Sequence, residues 1–250
     1  MREQFGHERL EVYRLYLDFA RLCGKIVSGA GVSIAATDHL ERATESIGMN
    51  LVRANDKSFG SGVRDHYIDI SIGSAHESAA CLDACVARKV LSEQKHHEGI
   101  KKVWRIRGML LGLKGTSGER AQERQPQYGS GRFPHSKLDV YVVALDTVQW
   151  VHPLLEKTAL NSRQKGKMDR STTGTLLNIA EGYGRATAAD RCRFFRSASE
   201  HAFQTVVQLD LMVAREYVSP KRIETGKALQ HRVVSMLHSW CEKLDKESRG

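Results

Sequence analysis

Apolar residues recur three or four positions apart along most of the chain. Tyr13, Leu17, Ala20, Cys23 and Val27 mark one such stripe, and Tyr141, Leu145, Val148, Val151 and Leu155 mark another. This spacing puts them on one face of a helix that needs a partner. A second helix follows in each case, with Leu40, Ile47, Asn50, Leu51 and Ala54 on one stripe and Thr175, Asn178, Ile179 and Gly182 on the other, so its asparagines face inward. The third helix is the longest. It starts near Ser61 and near Thr187, where Thr187-Ala-Ala-Asp190 makes a capping box, and it pairs Ile68 with Phe195, Ala75 with Ala202 and Leu82 with Leu209. Identical triplets, Val86-Ala87-Arg88 and Val213-Ala214-Arg215, close it. Ser92 and Ser219 open the fourth helix, the latter followed by Pro220 at the position where a missing N–H costs nothing. Inward positions there are Val103, Ile106, Leu110 and Leu113 against Gln230, Val233, Leu237 and Trp240.

The two series of stripes belong to one pattern stated twice. Phe5-Gly-His7-Glu-Arg-Leu10-Glu11-Val12-Tyr13 recurs as Phe133-Pro-His135-Ser-Lys-Leu138-Asp139-Val140-Tyr141, and the correspondence continues with a single one-residue slip. A period this long implies two copies of one domain. The pattern predicts an all-α protein of two tandem up-down-up-down four-helix bundles, residues 1–114 and 133–250, because four amphipathic helices on short loops bury their stripes most simply that way. Residues 115–132, rich in Gly, Ser, Gln and charge and lacking a stripe, read as a flexible linker.

Composition leaves this picture intact: 41% apolar and 27% charged residues suit a globular chain, and four prolines with few β-branched runs argue against a sheet. Five cysteines, an odd number, do not repeat between the copies as a duplicated disulfide or metal site would, so reduced thiols are expected. Only Cys23 and Cys81 fall on the core stripes. No stretch approaches the roughly 18 apolar residues of a membrane span, and the start of the chain lacks an apolar leader, so a cytoplasmic location without membrane attachment is expected.

Charge changes the picture more. The net charge is +9, and residues 133–250 hold 18 Lys/Arg against 13 Asp/Glu, compared with 17 against 14 in residues 1–114. Within the second copy, Arg163, Lys165, Lys167 and Arg170 flank the loop into its second helix. Arg185, Arg191, Arg193 and Arg196 run from the end of that helix into the third. These groups form either a stripe along the helix pair or a patch at each end, and such an excess permits attraction to nucleic acid. Tyr183 and Phe194 lie nearby as rings on which bases can stack, although Phe194 fits the core equally well.

No catalytic constellation appears in both copies. Glu181 is replaced by Arg53 in the first copy and Glu77 by Gln204 in the second, so the two carboxylates suit ion pairs with Arg170 and Arg42 better than acid–base work. Asn50 and Asn178 suit buried hydrogen bonding that fixes helix register. Gly182 suits close approach of a neighbouring helix, and with Gly184 it ends its own. Cys81 and Cys85, with His76, supply too few ligands for a closed metal site, and their counterparts in the second copy include Gln208 and Met212. No catalytic residue, metal ligand or cofactor is predicted.

Asn178-Ile-Ala-Glu181-Gly182-Tyr-Gly184-Arg185 resembles the signature of the four-helix-bundle family named after the 23S rRNA intervening-sequence protein, whose second helix reads approximately R-A-x-x-S-I-x-x-N-I-A-E-G-x-x-R. The chain divides that motif. Arg42-Ala43-Thr-Glu-Ser46-Ile47-Gly-Met-Asn50 keeps its front, and Asn178 to Arg185 keeps its end, with Arg42/Arg170 and Asn50/Asn178 in both. The family's third-helix pattern F-L-x-x-A-x-G-S-x-x-E is likewise split, between Gly73-Ser74-Ala-His-Glu77 and Phe194-Phe195-Arg-Ser-Ala198. The resemblance implies the bundle fold, a tendency toward cyclic homo-oligomers and little defined chemistry. A more distant likeness to the accessory variability determinant proteins of diversity-generating retroelements implies, by analogy of fold, an RNA or single-stranded nucleic-acid partner and a nucleic-acid enzyme such as a reverse transcriptase. The expected function is therefore a non-enzymatic, oligomeric binding protein with a basic surface. A protein-only scaffold is the alternative.

Overall fold

A computed structural model describes residues 5–30, 34–58, 60–114 and 133–247. The predicted linker, 115–132, lies outside them. The described residues are all-α, with eight α-helices: α1 (Glu11–Gly29), α2 (Ala35–Asn55), α3 (Gly62–Ala87), α4 (Glu93–Lys114), α5 (Asp139–Lys157), α6 (Ser162–Gly184), α7 (Ala188–Ala214) and α8 (Pro220–Glu247). A short 3-10 turn precedes α1 at Gly6–Arg9 and α5 at Pro134–Lys137.

Within the first four helices, α1 packs on α2 and α4, and α3 packs on α2 and α4. The last four repeat this with α5 on α6 and α8, and α7 on α6 and α8. Ser61 caps α3, accepting from the Arg64 N–H, and Thr187 caps α7, accepting from the Asp190 N–H; the expected capping box is not closed, because the Asp190 carboxylate accepts from the Thr187 hydroxyl instead of the Thr187 N–H. Both Arg88 and Arg215 end their helices, and the next residue in each case, Lys89 at φ 58° and Glu216 at φ 59°, is left-handed. Val90 then donates to the Cys85 carbonyl and Tyr217 to the Met212 carbonyl, closing both helix ends in the same way. Because a side chain is strained there, Lys89→Gly and Glu216→Gly are each expected to raise stability by about 0.5–1 kcal/mol, read as a higher urea midpoint at unchanged m.

Two expectations about burial are corrected. The inward face of α1 runs through Val12, Phe19, Cys23 and Ile26, while Leu17 is exposed and Tyr13 lies on the flank. Two apolar stripes overlap on this helix, and the one carrying Phe19 wins the core. Cys85 and Cys192 are buried as well as Cys23 and Cys81, and all five cysteines are free thiols. Burial pushes the Cys23 and Cys85 thiols up to about 12, which removes thiolate reactivity.

The halves share one core. Its largest apolar cluster continues from Phe19, Leu40 and Leu82 into Tyr141, Leu176, Phe195 and Val233, and a smaller one around Val151, Met168 and Leu209 belongs to the last four helices. The junction is built chiefly by α3 against α6, with α5 and α2 at its edges. Here α3 is buried on nearly every face: Ser71 to Ala75, Ala79 to Leu82, Ala84 and Cys85 are all inaccessible. A Cβ on Gly184 would stand 2.9 Å from the His76 ring and 3.2 Å from the Gly73 Cα, so these two backbones meet where glycines allow it.

Candidate nucleic-acid interface

Helices α6 and α7 are joined by three residues and run antiparallel. Gly174 lies against His201, Gly182 against Phe194 and Phe195, and the Thr205 hydroxyl donates to that of Ser171 at 2.9 Å. The two basic groups therefore sit at opposite ends of the pair, separated by the length of α6, about 33 Å at 1.5 Å per residue. They are two patches and not a stripe.

The patch at the α6–α7 turn is largely self-neutralised. Arg185 pairs with Glu181 and lies over the Phe194 ring at 4.7 Å, half-buried against Gly73. The Arg191 Nε donates to the Arg185 carbonyl at 2.8 Å. Arg193 also lies over the Phe194 ring at 4.9 Å and pairs with Asp190, and Arg196 pairs with Asp245 at 3.4 Å. Phe194 is thus already stacked on by two guanidinium groups, and Tyr183 lies against His76. Both rings already have partners within the chain.

The other patch differs. Asn161 caps α6, accepting from the Gln164 N–H at 2.9 Å, while the Gln164 amide oxygen accepts from the Asn161 N–H at 3.0 Å. No acidic residue occupies the first turn that follows. Among the described residues, Arg163, Lys165 and Lys167 have no carboxylate within ion-pairing distance. By contrast α2 begins with Asp38 in its first turn. A helix start carries partial positive charge and favours acidic neighbours, so clustered cations there are disfavoured unless an anion joins them. Arg163 and Lys167 line a groove shared with Tyr217 and Arg215 at the end of α7, and the Gln164 amide reaches the Tyr217 hydroxyl. Arg215 and Tyr217 were not among the expected residues. Only the antiparallel pairing of α6 with α7 brings them there.

The motif residues take structural positions. The Asn50 amide donates to the Ser46 carbonyl at 2.8 Å and Asn178 to that of Gly174 at 2.8 Å, each one turn back along its own helix. A Cβ on Gly182 would meet Phe195 at 2.8 Å, so that glycine admits α7. The expected partners of the glutamates are corrected. Glu181 pairs with Arg185, one turn away, because Arg170 lies three turns back on α6, and Arg170 is exposed near Gly166. Glu77 meets His39 Nδ1 at 3.0 Å, and Arg42 reaches the other nitrogen of that ring instead of the carboxylate. Burial, and then the Glu77 charge across the junction, raise the Glu181 carboxyl above its ordinary range. The junction thus brings a carboxylate of α3 near one of α6. Among the described residues no group of three or more His, Cys, Asp or Glu forms a metal cluster.

Residues 136–239 match the family model of the 23S rRNA-intervening sequence protein. The matched segment begins in the 3-10 turn before α5 and runs into α8, so it contains the open basic patch, and it includes Asn178, Glu181 and Gly182. No curated protein and no solved structure matches the chain. Among the described residues no helix is long and apolar enough to cross a membrane.

Proposed function

We propose that the chain is a tandem duplication of a four-helix bundle acting as a non-enzymatic, oligomeric binding protein, whose second half engages RNA or single-stranded nucleic acid as accessory to a nucleic-acid enzyme. The observation that carries the reading is the cationic start of α6, where Arg163, Lys165 and Lys167 lack carboxylate partners among the described residues and crowd a helix terminus that already attracts anions. Phosphate satisfies both at once. Tyr217, beside them and exposed, offers a ring for stacking. The likeness of residues 136–239 to a family named for a ribosomal RNA insertion supports the same class of partner.

The test is RNA affinity against salt, measured by fluorescence anisotropy on a single-stranded oligonucleotide. Three phosphate contacts predict a log–log slope near −2, that is about a hundredfold loss over a tenfold rise in salt. Arg163→Glu with Lys167→Glu should reduce affinity at least tenfold and flatten that slope. Arg193→Glu and Arg196→Glu should act more weakly, since their carboxylate partners already neutralise them. Absence of binding at low salt would leave the protein-only scaffold.

A further inference from the structure

The junction between the halves is asymmetric: α3 of the first half meets α6 of the second. Its contacts run antiparallel, from Gly73 with Gly184 and Arg185, through His76 with Tyr183, to Arg88 with Asp169. The sequence correspondence gives each side a counterpart elsewhere in the chain, α7 for α3 and α2 for α6. Those counterparts face outward. His76 and Ala80 are buried in the junction, but the equivalent Phe203 and Val207 are each 57% exposed. Leu177 is buried, and the equivalent Met49 is 58% exposed. Phe133 is buried against His76 and Trp104, and the equivalent Phe5 is 73% exposed.

We propose that these two faces bind each other between chains, the α7 face of one copy docking on the α2 face of the next in the register of the internal junction. It rests on the oligomeric part of the function proposed above. Transferring the register puts Val207 opposite Met49 and Phe203 beside Phe5, so the exposed apolar groups cover one another. The charges agree as well. The buried pair Arg88 with Asp169 becomes Arg215 with Glu41, both exposed in the single chain. Arg185 against Gly73 becomes Lys57 against Glu200. Where Glu77 and Glu181 approach each other inside, Gln204 faces Arg53 outside, so no like charges meet. Contiguous exposed Phe, Val and Leu one turn apart on α7 are costly in water unless covered. Because the two faces differ, the contact is head-to-tail and builds a closed ring or an open filament, never a two-fold dimer.

Native mass spectrometry and light scattering test this. The wild-type chain is expected above its 28.0 kDa monomer mass. Phe203→Glu with Val207→Glu, and separately Met49→Glu, should each give a monomer with unchanged helical content, since all three residues are exposed in the single chain. Mixing the two variants should give a heterodimer that grows no further, as each retains one intact face. Arg215→Glu should weaken assembly and adding Glu41→Arg should restore it. A monomeric wild-type chain would overturn both the oligomeric reading and this interface. An oligomer indifferent to these substitutions, or a Met49→Glu chain that still dimerises alone, would overturn the interface and leave the oligomeric reading standing. Arg163 and Lys167 share a groove with Leu211 and Arg215, so RNA titrations on the monomeric variants separate the two surfaces.

Discussion

Replacing Asp169 by alanine is expected to cost about 3–5 kcal/mol of stability, the range for leaving a buried charge without its partner. This carboxylate of α6 serves the other half of the molecule. One oxygen accepts from the Ala35 N–H at 2.7 Å, the first N–H of α2, whose own preceding residue, Ile34, offers no side-chain cap. The other faces Arg88 of α3 at 3.4 Å, an ion pair without an aligned hydrogen bond, and neither Arg88 Nε nor Nη1 has another partner. Both side chains are about nine-tenths buried. Removing the carboxylate therefore orphans a helix-start donor and strands a guanidinium. Urea unfolding checks the loss. Asp169→Asn keeps an acceptor for Ala35 and should be milder. Arg88→Met combined with Asp169→Asn should recover stability relative to Asp169→Asn alone, because the stranded charge is then gone. A loss below about 1 kcal/mol for Asp169→Ala would show that water reaches the pair and that the junction does not depend on it.

The same carboxylate marks where sequence reasoning ends. Helical periodicity, the Ser61 and Thr187 caps and the twin Val-Ala-Arg closures are local signals, each carried by residues within a turn of one another, and they place the helices well. A residue of α6 that caps α2 leaves no such trace, because its partner is 134 positions away. Similarly, Ala80 and Ala84 on the second face of α3 read as ordinary helix formers, and only the packing of α6 shows that they make a floor for another helix. Charged candidates were the least legible. Arg185 has the composition of a surface cation but is held by Glu181 and Phe194, whereas Arg163 and Lys167, no different in kind, remain open. Which arginine meets a carboxylate is decided by helix pairing.

Lowering the pH from 7 to 5 is expected to weaken the junction sharply, through two neutral imidazoles buried at its centre. His76 of α3 and His135 of the turn before α5 approach with their Nδ1 atoms 2.7 Å apart. Arg107 Nε donates to His76 Nε2 at 2.9 Å, so that nitrogen is the acceptor and the proton of His76 sits on Nδ1. His76 then donates to His135, whose own proton is left on an Nε2 that has no partner. A proton added to either ring sets two N–H groups against each other. Burial lowers the affinity of both rings for it, with each ring's neighbours, His135 and Arg107 for His76, and Arg107 for His135, acting in the same direction. The Asp83 carboxylate beyond the Tyr141 hydroxyl only partly offsets this for His135, which falls to about 4. Since the folded value lies below the ordinary 6.5, the unfolded chain binds more protons, and stability declines as pH falls from about 6.5 toward 4 before levelling. His135 alone contributes a loss of about 2 kcal/mol between pH 7 and pH 5, and His76 adds to it in the same sense. Denaturant unfolding at the two pH values measures the sum. His135→Asn retains an acceptor near the Nδ1 position but cannot titrate, so it should lower stability at pH 7 and flatten the pH dependence by about 2 kcal/mol. Parallel curves for the variant and the wild type would place the acid-sensitive group elsewhere.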